Sequence, residues 1–89
     1  MSQLIQVEHN AQTHCFSTVV DGHRAVLEYR VGDAQTLDMH HTFVPDELRG
    51  QGVAAVLAKA ALAYAREQGC KVIPSCSYIA VYLQRHPQA

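Results

Sequence analysis

The chain has 89 residues, 48% of them hydrophobic and 17% charged, with a formal net charge of -1. That length suits a single domain, residues 1–89, with a thin core, and the apolar fraction excludes a disordered chain. No apolar run approaches the roughly 20 residues of a membrane span, the start lacks signal-peptide character, and Lys and Arg are scattered rather than striped. The expectations are a cytoplasmic protein that binds neither membrane nor nucleic acid.

Residues 4–8 alternate between polar and apolar side chains and predict a short strand. A second strand over 14–20 stops at Asp21-Gly22, a pair suited to the positive φ of a tight hairpin turn. The third strand, about 24–31, places Ala25, Leu27 and Tyr29 on one face and Val26 and Glu28 on the other. Gly32-Asp33 predicts the next turn, and a long strand follows over 35–44 until Pro45. Strict alternation along it gives an apolar face of Leu37, Met39, His41 and Phe43, with Asp38, His40 and Thr42 opposite.

The period then changes. Val53, Val56, Leu57, Ala60, Ala61 and Tyr64 form a stripe at helical spacing, and Gly69 suits the helix end. Residues 71–73 predict a short strand broken by Pro74, and a last helix spans about 77–85, stopped by Pro87. The order β-β-β-β-α-β-α is an α+β fold, an antiparallel meander followed by α-β-α. Cys15, Cys70 and Cys76 are odd in number and contain no C-x-x-C pair, so free thiols are expected. The six His are dispersed, and adjacent His40 and His41 point apart on a strand, so no metal is expected.

The informative segment joins the long strand to the long helix: Arg49-Gly50-Gln51-Gly52-Val53-Ala54. Glycines there permit a sharp turn with exposed N–H groups, and the helix start adds unpaired donors and a positive dipole end. Such a place suits phosphates, although glycines alone fit a plain turn into a helix equally well. A P-loop would need G-K-[ST], absent here. The loose dinucleotide pattern Gly50-x-Gly52-x-x-Ala55 lacks its preceding βαβ context and its acidic strand residue.

Residues 42–65 resemble the acetyl-CoA-binding segment of GNAT superfamily N-acetyltransferases, whose signature [QR]-x-x-G-x-[GA] is matched by Arg49-Gly50-Gln51-Gly52-Val53-Ala54. The whole chain resembles the compact branch of that superfamily, through His41-Thr42-Phe43-Val44-Pro45 before the loop and Pro74-Ser75-Cys76-Ser77-Tyr78 after the helix. The resemblance implies a minimal GNAT-like fold. It implies backbone pairing of the pantetheine arm with Phe43 and Val44, and pyrophosphate on the N–H groups of Gly50, Gln51, Gly52, Val53 and Ala54. It also implies a phosphate partner in Arg49, and a gap beside the last strand for the thioester.

Acetyl transfer needs a neutral amine, oxyanion stabilisation and a proton for the thiolate. Tyr82 matches the family's tyrosine acid and also suits a core aromatic beside Ile79 and Leu83. Cys76 lies where the thioester is expected, as an acetyl-accepting nucleophile or as a small apolar lining residue. His41 matches the family's His-Thr and suits either a general base or a hydrogen-bonded core imidazole. Only a handful of residues separate the first two strands, too few for the two helices usual there, and no strands follow the last helix; both departures leave the acceptor open. The readings are an N-acetyltransferase acting on an amine, such as a protein lysine or N-terminus; a non-catalytic acyl-CoA-binding or sensing module; and a partner-dependent subunit. Expected partners are acetyl-CoA or CoA, an amine or protein acceptor, and a second copy in a homodimer.

Overall fold

The computed structural model describes residues 5–87. In chain order they form β1 (Glu8–Asn10), β2 (Cys15–Val20), β3 (His23–Gly32), β4 (Thr36–Phe43), a 3-10 turn (Asp46–Leu48), α1 (Val53–Glu67), β5 (Lys71–Ile73) and α2 (Ser77–Arg85). One five-stranded sheet runs β1-β2-β3-β4-β5. The first four strands pair antiparallel, and β5 joins β4 in parallel. A parallel neighbour needs a long crossover, and α1 supplies it. This is the α+β arrangement expected from the sequence. Among the described residues no helix is long and apolar enough to cross a membrane.

Local chemistry explains most of the boundaries. Asp21 and Gly22 both take positive φ, 52° and 78°, the two-residue turn whose twist matches a hairpin. The next turn differs from expectation. Gly32 remains in β3, paired with Thr36, and the chain reverses over residues 33–35. The Thr36 hydroxyl holds that reversal by donating to the Asp33 carbonyl at 2.8 Å. The first strand also shifts from 4–8 to Glu8–Asn10, and Leu4 of the expected strand lies outside the described residues. His9 there stacks on Phe16 at 4.1 Å and meets the Tyr29 hydroxyl at 2.6 Å, tying the edge strand to the core.

α1 covers one face of the sheet. Its buried Leu57, Ala58, Ala61 and Leu62 join Phe16, Ala25, Leu27, Tyr29, Leu37 and Met39 of the sheet, and α2 adds Ile79. Burial of the Leu, Ile, Phe and Met side chains among them contributes about 1.5–3 kcal/mol each. Alanines on α1 allow the helix to lie close to the strands. The opposite face has no covering layer among the described residues, and Val19 and Phe43 are 65% and 51% exposed there.

A β-bulge corrects the expected faces of β4. Tyr29 pairs with Met39 but Glu28 pairs with His41, so His40 is an extra residue in the ladder. An inserted residue reverses the alternation beyond it. Leu37 and Met39 stay buried under the helices, whereas His41 and Phe43 turn to the uncovered face. Thr42, opposite buried Leu27, comes to the helix side instead.

Candidate functional site

The β4–α1 connection builds one wall of a cleft. Its first turn is closed internally, with Arg49 N–H donating to Asp46 O at 3.1 Å and Gln51 N–H to Leu48 O at 3.3 Å. Leu48, 1% exposed, anchors the turn in the core. Gly50 and Gly52 then take φ of 82° and 76°, a region where L side chains are strained. A Cβ at either position would touch nothing within 4 Å, so the glycines serve the backbone path and open the approach to it. Gly52 caps α1 without a side-chain cap. Among the described residues, the N–H groups of Gly50, Gly52, Val53, Ala54 and Ala55 have no backbone acceptor. They are gathered at the positive end of a 15-residue helix.

These residues, with Thr42, Val44, Leu48 and Tyr78, line a cleft of about 410 Å³. The donor set fits a pyrophosphate: clustered backbone N–H groups, and no side chain over them. Arg49 lies at the rim, paired through Nε with Asp46 Oδ1 at 3.0 Å. Both partners are largely exposed, and such a pair contributes little to holding Arg49 in place. The Gln51 amide turns back to Glu47 O at 3.2 Å and does not line the cleft.

The far wall comes from a parting of strands. The β4–β5 ladder ends at Asp38 and Ile73, and Pro74 breaks β5. Cys76 N–H makes one more bond, to Met39 O at 2.9 Å. Beyond it β4 is paired on its β3 side alone, leaving backbone groups of residues 41–43 available to an incoming amide. Phe43 ends this stretch and Val44 follows it, with Val44 on the cleft and the Phe43 side chain on the uncovered face.

Cys76 is the N-cap of α2, half-buried at the mouth of this gap. Its Sγ lies 3.5 Å from Thr42 Oγ1, which accepts from the thiol and donates to the thiolate after ionisation. Burial pushes the thiol up, but hydrogen bonds with the Thr42 hydroxyl and with the backbone of Ile79, Tyr78 and Thr42 outweigh it. The net position is below the ordinary thiol value. A helix N-terminus favours thiolate in the same sense.

The other candidates are distributed differently. Tyr82 does not line the glycine-loop cleft; it faces a second cavity, with the His86 ring 4.4 Å away. Tyr78, one turn earlier, is the tyrosine on the cleft. Burial and then neighbouring Tyr82 raise its phenol above the ordinary value, with Arg85 pulling against them. His41 is exposed on the uncovered face, away from the face that carries Thr42 and the thiol. Among the described residues no group of His, Cys, Asp or Glu side chains is arranged to hold a metal ion. Sequence reasoning named Tyr78 as a motif letter alone, and placed Thr42 both in the motif before the loop and on the polar face of the long strand. The two-residue spacing from Cys76 to Tyr78 at a helix start was the available signal for Tyr78, whereas the bulge that redirects Thr42 leaves no mark in hydrophobic periodicity.

Residues 15–89 match the family model described as GCN5-related N-acetyl-transferase. The chain is 41% identical over 88 residues to Protein NATD1 of Xenopus tropicalis, covering 97% of this chain and 81% of the relative. It is 40% identical over 85 residues to Protein NATD1 of Homo sapiens, covering 93% and 75%. In three dimensions it is similar to a GCN5-like protein of Staphylococcus aureus solved by NMR in solution. The TM-score is 0.71 at 33% identity, across 91% of this chain and 79% of the other.

Proposed function

The chain belongs to the GCN5-related N-acetyltransferase family, and on that premise we propose that it transfers the acetyl group of acetyl-CoA to an amine. The observation that carries this reading is the glycine-loop cleft, with unpaired backbone donors at one end and Cys76 at the other. The pyrophosphate rests on the N–H groups of Gly50, Gly52, Val53, Ala54 and Ala55, since that of Gln51 is already donated to Leu48 O, and the pantetheine arm follows β4 along the open edge toward the gap. The acetyl thioester then lies beside Cys76 and Thr42.

Two routes complete the transfer. In the first, Cys76 thiolate attacks the thioester carbonyl, the C–S bond to CoA breaks, and CoA leaves as a thiolate that takes up a proton. The amine then attacks the Cys76 acetyl thioester, the acetyl–Sγ bond breaks, and the amine loses a proton as the amide forms. In the second, the neutral amine attacks acetyl-CoA directly, and an acid protonates the departing CoA sulfur. The lowered Cys76 thiol favours the first. On the second, the tyrosine lining the cleft is Tyr78, and Tyr82 sits one turn further along α2.

Intact-mass measurement after incubation with labelled acetyl-CoA tests the routes. The cysteine route predicts one added acetyl group, removed by hydroxylamine, absent in Cys76→Ser and retained in Cys15→Ser and Cys70→Ser. A hydroxylamine-stable label, or full turnover by Cys76→Ala, overturns that route. Binding of CoA with neither label nor turnover across many amines would instead favour a non-catalytic acyl-CoA-binding module.

A further inference from the structure

An antiparallel sheet can leave one face to water when that face is polar. The face opposite α1 is mixed instead. Alternation and pairing place one apolar side chain there from each of β2, β3, β4 and β5: Val19, Val26, Phe43 and Ile73. Val26 and Phe43 are cross-strand partners near its middle, and Val19, Phe43 and Ile73 are exposed.

The charges of the same face are balanced. Glu8, Glu28 and Asp38 share it with Arg24, Arg30 and Lys71. Among the described residues none of these six forms an ion pair. Arg30 and Asp38 are even cross-strand partners, and still they stay apart. The face is therefore neutral while presenting both signs. A nucleic acid or an anionic membrane would call for an excess of cations, and a strongly charged protein for an excess of the opposite sign. A second copy of this face calls for neither. About a twofold axis, every contact of an acid in one copy with a cation in the other occurs twice. The apolar side chains of both copies leave water together.

We propose that the uncovered sheet face is the interface of a homodimer, two copies packing sheet against sheet. Sheets pack in this way about 10 Å apart, with the side chains of the two inner faces interdigitating. Both glycine-loop clefts then lie on the outer sides, which carry α1. The arrangement also gives a role to two motif side chains that the cleft does not use. The bulge at His40 turns His41 and Phe43 onto this face, whereas the backbone of the same stretch borders the gap between β4 and β5. Ion pairs supply much of the specificity, so association weakens as salt rises.

Sedimentation of the full chain from micromolar to millimolar concentration tests the proposal. The mass should approach twice 9.8 kDa at high concentration and fall toward 9.8 kDa on dilution or in high salt. Arg24→Glu/Arg30→Glu sets acids against acids and should weaken self-association about tenfold or more. Glu8→Lys/Glu28→Lys should do the same with cations. Mixing the two variants should restore association as a heterodimer, which a fault in folding could not produce. Amide shifts on dilution of the parent chain should fall on β2, β3 and β4 and spare α1. A monomeric mass at every concentration overturns the proposal, and shifts of this face by anionic vesicles would then assign it to a membrane. A dimer indifferent to both double variants, no recovery on mixing, or dilution shifts confined to the helices also overturns it.

Discussion

Two cavities share helix α1 and differ in what lines them. The cleft at its N-terminus presents the backbone N–H groups of Gly50, Gly52, Val53, Ala54 and Ala55, and Arg49 is the one formally charged residue among its described lining. The cavity along its flank is walled by Lys59, Arg66, Arg85 and His86. Backbone donors are fixed by the path of the chain, so the first site depends on φ angles and on clear space. Side-chain charges are carried on flexible stems, so the second depends on residue identity and is open to screening by salt. The comparison teaches where mutations will act on the glycine-loop cleft: through its backbone, not through its side-chain charges.

The largest expected effect breaks the first site through its backbone. Gly52→Val places a side chain at φ 76° in the space through which a pyrophosphate would approach. CoA affinity should fall about a hundredfold or more by calorimetric titration, a loss of roughly 3 kcal/mol. Gly22→Val is the matched control, at φ 78° with equally open surroundings but in the β2–β3 turn. Strain of about 1–2 kcal/mol should lower both melting temperatures, while CoA affinity survives only in the Gly22 variant. Equal loss of CoA binding in both would assign the effect to strain.

A smaller effect sharpens the picture at the thiol. Thr42→Val removes the hydroxyl 3.5 Å from Cys76 Sγ. Burial raises the thiol and the hydrogen bonds, that of Thr42 first among them, lower it more. Deleting the Thr42 bond must therefore move ionisation to higher pH. Alkylation of Cys76 by iodoacetamide, followed against pH, should show its midpoint below that of an ordinary thiol in the parent and above the parent's in Thr42→Val. An unmoved midpoint would remove Thr42 from the account of the thiol.

The smallest effect is at Gln51, inside the same signature. Its side chain turns back to Glu47 O, so Gln51→Ala should change CoA affinity by less than about twofold, as an exposed substitution away from the ligand does. A tenfold loss would mean that this loop recognises through side chains after all.

Much of this was legible in the sequence because it depends on local chemistry. Asp21-Gly22 specifies a turn, the 53–64 stripe specifies a helix, and the glycine loop has a spacing of its own. The faces of β4 beyond Met39 were not legible. The bulge at His40 is a property of pairing with β3, and no period-2 pattern within β4 contains it. That one extra residue sent His41 and Phe43 to the uncovered face and brought Thr42 toward Cys76. The basic cavity was equally hidden. Lys59, Arg66 and Arg85 are spread over 27 positions of sequence and meet only when α2 lies along α1. Tyr82 and Tyr78 show the same limit: helical spacing puts them one turn apart, and packing decides which faces the glycine loop.

The central claim is that acetyl-CoA lies on the loop between β4 and α1. Amide NMR of the full chain with added CoA tests it most directly. The account predicts that the largest shifts fall on Gly50, Gly52, Val53, Ala54 and Ala55, with a second group at Thr42, Val44 and Cys76 along the path to the gap. Saturating CoA that leaves those amides unmoved, while shifting residues elsewhere, would contradict it.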